Sequence, residues 1–251
     1  MSGRIALAPQ PGTKQPFLRI PYVVPLLATV LIAIEAAREY LFADRSPELF
    51  SRFGVVPARY SDSFLAAHHF SGGNFFDRAI PFVSYLFLHA DWTHVLLNSA
   101  LLLPFGAVVA RRYGNLLFIL FFLVCGIAGA ITHVAFNWES MAPVIGASAA
   151  VSGLMAGAFR IAGARADGPL TPMLSSRIIV WSALWTVANV VAGMMGLGAG
   201  SGIRLVAWQA HLGGYYAGLL LSGPFDWIRH RWMGERAAPR LNPAARTIDN
   251  G

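Results

Sequence analysis

Six blocks of apolar residues, each about 20 residues long, run through this 251-residue chain. At ~1.5 Å of rise per residue, a block of this length spans the hydrocarbon core of a bilayer as a helix. Backbone groups in lipid must pair internally, and the short alternating segments of a membrane β-barrel are absent. We therefore expect an all-α membrane protein with six transmembrane helices. The blocks lie at about 20–41, 85–110, 116–136, 143–162, 178–197 and 205–225.

The low charge of the chain favours this interpretation over a large soluble domain. Only 12% of the residues are charged, about half the fraction of a typical soluble domain. The net charge is +7, but the arginines lie between the apolar blocks rather than on one face, so no nucleic-acid partner is expected. The single cysteine, Cys125, excludes an internal disulfide and a multi-cysteine zinc site. No cleavable signal peptide is evident in the polar residues 1–19.

The placement of basic residues predicts the orientation of the chain. About two thirds of the Lys and Arg residues lie in the N-terminal tail, the second and fourth connections and the C-terminal segment. This bias predicts that both termini are cytoplasmic, in a bacterial inner (cell) membrane. The expected domains are a tail at 1–19, a membrane domain at 20–228 and a basic, disordered tail at 229–251. The long first loop, 42–80, is rich in Phe and Leu and is expected at the membrane surface.

Ionisable and polar residues within a span are costly, so the segment FLHADWTHVLLNS in the second block is unusual. A helix would place His94 and Asn98, four residues apart, on one face, with His89 near the end of the span. Imidazoles can bind zinc, but no carboxylate or cysteine shares this face, so we expect no metal. These side chains could also join helices by hydrogen bonds.

Two other blocks each carry a polar residue ahead of a pair of glycines four residues apart. Ser148 precedes Gly153 and Gly157, and His211 precedes Gly214 and Gly218. Such pairs let helix backbones approach closely. If the two glycine seams face each other, the hydroxyl and the imidazole come within hydrogen-bond reach, as a serine activated by a general base requires.

An acyl transfer also needs donors aimed at the developing oxyanion, each worth roughly 3–4 kcal/mol. The backbone N–H of Ser148 is one candidate if its helix starts there, because the first turn of a helix has unpaired N–H groups. Pro143 and Gly146 just upstream are compatible with such a start. Asn98 and His94 are candidate side-chain donors.

The sequence resembles the rhomboid family of intramembrane serine proteases over roughly residues 53–221. The resemblance rests on the HxxxxHxxxN arrangement at 89–98, GASxA at 146–150 and AHxxG at 210–214. FGVVPA at 53–58 and FG at 105–106 are also similar to that family.

The resemblance implies a Ser148–His211 dyad, with no acid behind the histidine and no cofactor. It implies that Asn98 and His94 stabilise the oxyanion with the Ser148 N–H. It further implies structural roles for His89, Gly146 and Gly214, with His89 tying the start of the second helix to the first loop. Expected partners are the lipid bilayer and transmembrane protein substrates, admitted beside the fifth helix.

Three positions depart from the pattern of that family. Ala149 replaces the usual Gly after the nucleophile, and Ser152 replaces an aromatic that often stacks on the base, which predicts a less restrained His211. The usual Trp-Arg pair of the first loop has no counterpart. A non-catalytic rhomboid-like protein that binds membrane clients is the alternative function. A small transporter is a third, although the repeats typical of transporters are absent.

Overall fold

The computed structural model describes residues 20–162, 168–196 and 207–237 of the chain, with side chains up to Trp232. Within these ranges the protein is all-helical, and the only β-type pairing is an isolated bridge between Val55 and Val144. The α-helices are, in order, α1 Val23–Leu41, α2 Ser46–Phe53, α3 Asp62–Ala67, α4 Phe75–Ala79, α5 Pro81–Ser84, α6 Trp92–Tyr113, α7 Asn115–Phe136, α8 Ser148–Ile161, α9 Ser176–Met194 and α10 Trp208–Ala237. Short 3-10 turns occupy Ala43–Arg45, Pro57–Tyr60 and Tyr85–Phe87.

The prediction of an all-α protein is confirmed. Among the described helices, α6, α7 and α9 are long and apolar enough to cross a membrane. Their large hydrophobic side chains are widely exposed, for example Leu96, Leu120 and Val187. So many exposed large apolar side chains on long helices are unusual in a soluble monomer.

Two predicted helix starts are wrong. The second span was expected from residue 85, but α6 begins at Trp92, where the Asp91 side chain caps it by accepting a hydrogen bond from the His94 N–H at 2.9 Å. The fourth span was expected from residue 143, but α8 begins at Ser148 and has only 14 residues. The displaced segments are largely apolar, one a 3-10 turn followed by a loop and the other a loop, and hydropathy alone does not distinguish them from α-helix.

The C-terminal end of the sixth helix differs from the prediction. It was expected to end near residue 225, but α10 continues to Ala237, which includes the first part of the tail expected to be disordered. The remainder of that tail, 238–251, and the N-terminal tail 1–19 lie outside the described residues.

The first loop consists of short helices and positions the segment before α8. Val55 and Val144 exchange backbone hydrogen bonds of 3.0 and 2.9 Å, and the Ala58 N–H donates to the Ser140 carbonyl at 3.0 Å. The FGVVPA motif therefore pairs with the residues that lead to Ser148.

Helices α8 and α10 pack along the two glycine seams. A Cβ added at Gly214 would collide with the Ala149 carbonyl, and one at Gly218 would collide with the Gly153 backbone. The two seams therefore face each other, and Gly214 lies against the α8 backbone. Close backbone contact fixes the depth and rotation of the two helices relative to each other.

We expect Gly218→Ala to destabilise the protein by about 1–3 kcal/mol, the usual range for overpacking. The added methyl has only backbone to displace, because Gly153 lies against it. Thermal unfolding in detergent should show a lower transition temperature. Leu220→Ala on the same helix is the control, since Leu220 is 59% exposed. Equal transition temperatures for wild type and Gly218→Ala would contradict this packing argument.

Candidate active site

Ser148 is the first residue of α8, after an unusual backbone turn at Gly146. Gly146 has φ +115°, a conformation that residues with a Cβ rarely adopt, and its N–H donates to the Tyr85 carbonyl at 2.9 Å. Ala147 at the N-cap has no side-chain cap. The N–H of Ser148 therefore has no carbonyl partner within its own helix, and the positive end of the helix dipole lies beside its hydroxyl.

The structure brings the two predicted reactive residues together. The Nε2 atom of His211, in the first turn of α10, lies 2.7 Å from the Oγ atom of Ser148. Both side chains are half-buried. The contact follows from the glycine seam, because each of the two residues lies at the same end of its helix, ahead of the glycines that bring the backbones together.

The two predicted side-chain donors, His94 and Asn98, lie over Gly146. A Cβ at Gly146 would come within 2.6 Å of His94 Nε2 and 3.8 Å of Asn98 Nδ2. Gly146 is thus required both for its backbone conformation and for the approach of the His94 ring. Asn98 uses one amide hydrogen to bond the His94 carbonyl at 3.0 Å, and an amide NH₂ group has a second hydrogen to donate.

His89 supports the site from behind. The Ala147 N–H donates to His89 Nε2 at 3.4 Å, and the His89 ring packs edge-on against His94 with centroids 5.0 Å apart. The fully buried His89 therefore holds the residue before Ser148 and one of the two side-chain donors.

Asn189 also belongs to the site, although it was not predicted from the sequence. Its Oδ1 atom lies 2.8 Å from Nδ1 of His211, on the ring nitrogen opposite the one that meets Ser148. The signal was present in the sequence, because an amide in the middle of an apolar block is as costly as the polar residues that were singled out elsewhere.

Ala149 and Ser152, the two residues close to Ser148 that depart from the family pattern, both have defined neighbours in the structure. The Ala149 methyl lies against α7, where a Cβ on Gly129 would come within 2.5 Å of it. Ser152 is buried, and its hydroxyl donates to the Ser148 carbonyl at 2.8 Å. Ser152 does not restrain the base, but His211 is held at both ring nitrogens all the same.

One cavity of about 440 Å³ connects these groups. Ser148, His211, His94 and Asn98 all line it, whereas His89 and Gly214 lie behind its wall. Further polar residues line it as well: His133, Asn137, Ser140 and Gln209. Among the residues that the structure describes, no three His, Cys, Asp or Glu side chains are grouped to hold a metal ion. The arrangement presents a hydroxyl, a base and several N–H donors to one shared space.

The Rhomboid domain family model matches residues 77–225. RHOMBOID-like protein 4 of Arabidopsis thaliana is 30% identical over 165 residues, covering 62% of this chain and 36% of the relative. Rhomboid protease GluP of Bacillus subtilis (strain 168) is 29% identical over 149 residues, covering 59% of this chain and 26% of the relative. The chain thus spans about a third or less of the length of these relatives. Since the matched domain occupies more than half of the chain, this multi-pass membrane protein belongs to the rhomboid family.

Proposed function

We propose that the protein is an intramembrane serine endopeptidase that cleaves transmembrane segments of other membrane proteins with a Ser148–His211 dyad. The observation that carries the proposal is the 2.7 Å contact between His211 Nε2 and Ser148 Oγ. Family membership adds support, because one relative is named a rhomboid protease.

The chemistry follows from the positions of the groups. Ser148 Oγ attacks the scissile carbonyl carbon while His211 Nε2 takes the hydroxyl proton. The oxyanion of the tetrahedral intermediate accepts hydrogen bonds from the Ser148 N–H and from the His94 and Asn98 side chains. His211 then donates its proton to the leaving amine as the C–N bond breaks. Water, deprotonated by His211, hydrolyses the acyl-enzyme and restores the serine.

The membrane topology that we propose has six spans with both termini in the cytoplasm of a bacterium, in its inner (cell) membrane. Six helices of 14 residues or more support this count: α1, α6, α7, α8, α9 and α10. Arg112, at the end of α6, contacts Asp226 of α10 and the Gly168 carbonyl, so the arginine-rich connections meet at one end of the bundle. We divide the chain into tails at 1–19 and 229–251 and a membrane domain at 20–228.

This topology places the reactive serine below the outer surface. Helix α8 has 14 residues, roughly 21 Å at 1.5 Å per residue, which is shorter than the ~30 Å hydrocarbon core. It runs from Ser148 towards the arginine-rich end, so Ser148 lies towards the opposite, outer side. The cavity would supply water there, and its apolar and polar lining suits an unwound transmembrane segment.

The proposal is tested with purified wild-type protein in detergent, a fluorophosphonate probe and a model single-span substrate. Covalent labelling together with a single internal cut would support the endopeptidase. A folded wild-type protein that neither labels nor cleaves would instead favour the non-catalytic client-binding function. The substrate identity in cells would follow from comparing surface proteins with and without the reactive serine.

Asn98→Ala is expected to slow cleavage about 100-fold without abolishing it, because one of several oxyanion donors is lost. The loss should affect kcat and kcat/KM equally, since this bond forms only in the transition state. Steady-state cleavage of the model substrate measures both. Ser99→Ala, on the same helix, is the control and should retain the wild-type rate. An effect on KM alone would mean that Asn98 binds substrate rather than the oxyanion.

A further inference from the structure

We propose that Asn189 on α9 is a positioning residue for the base: its amide fixes the His211 tautomer that can accept the Ser148 proton. The inference rests on the proposed function and adds a third residue to the dyad. Asn189 is 6% exposed within a mostly apolar helix. A buried amide in this position needs hydrogen-bond partners, and those partners determine how the amide is oriented.

The orientation of the Asn189 amide follows from its own helix. Its Nδ2 lies 2.9 Å from the Trp185 carbonyl oxygen. A backbone carbonyl only accepts hydrogen bonds, so the atom facing it must be the NH₂ group. The amide oxygen is therefore the atom that faces His211, at 2.8 Å from Nδ1.

The amide orientation determines which nitrogen of His211 carries the proton. An amide oxygen only accepts, so Nδ1 must donate to it, and a neutral imidazole has a single N–H. Nε2 is then the bare nitrogen, and it faces Ser148 Oγ at 2.7 Å. The serine hydroxyl must donate to Nε2, which is the direction of proton transfer that attack requires. The opposite tautomer would place an N–H against the serine and leave no base.

The restraint comes from α9, which is less buried than α6 or α7. Of the apolar stretch of α9, 22% is buried, compared with 44% for α6 and 56% for α7. Its described polar contacts with α10 lie on one face: Ser182 with Tyr215, Thr186 with Tyr216, and Asn189 with His211. Only the last of these touches the dyad, so the role of Asn189 is separable from the docking of α9.

The experiment measures the second-order rate constant of fluorophosphonate labelling in wild type, Asn189→Leu, Asn189→Asp and Ser182→Ala. Asn189→Leu keeps the size of the side chain but removes the acceptor, and should slow labelling about 10- to 100-fold. Asn189→Asp retains an oxygen acceptor and should recover much of that loss. Ser182→Ala removes a buried hydrogen bond of the same helix pair, 2.9 Å long, and should label within about 2-fold of wild type.

A spectroscopic measurement of the His211 tautomer tests the proposal without relying on activity. In protein labelled with ¹⁵N-histidine, the His211 signals are identified by their loss in His211→Gln. The wild type should show the neutral Nδ1–H tautomer, and Asn189→Leu should shift the ring towards Nε2–H.

Three results would overturn the proposal: a wild-type Nε2–H tautomer, labelling of Asn189→Leu at the wild-type rate, or equal slowing by Ser182→Ala. Absence of labelling in the wild type would reject the endopeptidase. The tautomer would then still decide whether Asn189 orients the ring.

Discussion

Ser148→Ala is expected to abolish both fluorophosphonate labelling and substrate cleavage, with a loss of at least about 10⁴-fold. The reason is that, in the proposed mechanism, Oγ forms the covalent bond, and Ser148 is the hydroxyl that contacts His211 within the described part of the chain. The substitution removes one atom from a half-buried position, so the protein should keep its wild-type unfolding temperature. Labelling is read from fluorescence in a gel, and cleavage from the appearance of the two substrate fragments.

Ser152→Ala provides the matched control for this result. Ser152 lies one turn further along α8, and its hydroxyl bonds the Ser148 carbonyl rather than the base. The variant should label and cleave at near the wild-type rate. If Ser148→Ala were still labelled and Ser152→Ala were not, the nucleophile would be Ser152 and not Ser148.

His211→Ala should also reduce cleavage by about 10⁴-fold or more, because the serine then has no acceptor for its proton. The double variant with Ser148→Ala should be no slower than either single variant, since the two residues act as a unit. Time courses of substrate cleavage at high enzyme concentration would measure these residual rates.

His68→Ala controls for the loss of a histidine. His68 is exposed on the first loop, where its ring stacks on Phe64, and this variant should retain wild-type activity. Cleavage retained by a folded His211→Ala variant would mean that another group accepts the proton, and the dyad would have to be abandoned.

Part of the site was predictable from local sequence because its signals lie within single helices. The glycines after Ser148 and after His211 predicted a close helix pair, and Gly214 and Gly218 do contact the α8 backbone. The possible start of a helix at Ser148 was also predictable from the preceding glycine and proline. These features depend on residues next to one another along the chain, where steric and hydrogen-bonding rules are local.

Other parts depended on contacts between distant segments. The contact of His89 with the Ala147 N–H joins residues far apart in the chain. Asn189 was not singled out, because nothing near it in the chain shows that its amide faces His211. The position of the Ala149 methyl, against Gly129 of α7, was likewise not predictable from the residues next to it in the chain.

The sequence by itself determined an all-helical membrane protein and the residue types needed for acyl transfer, because the cost of placing each residue in lipid depends mainly on that residue and its close neighbours. Only the tertiary structure decided which polar atoms meet: Ser148 with one nitrogen of His211, and Asn189 with the other. Those contacts depend on the depth and rotation of three helices relative to one another, which are set by packing across the whole bundle.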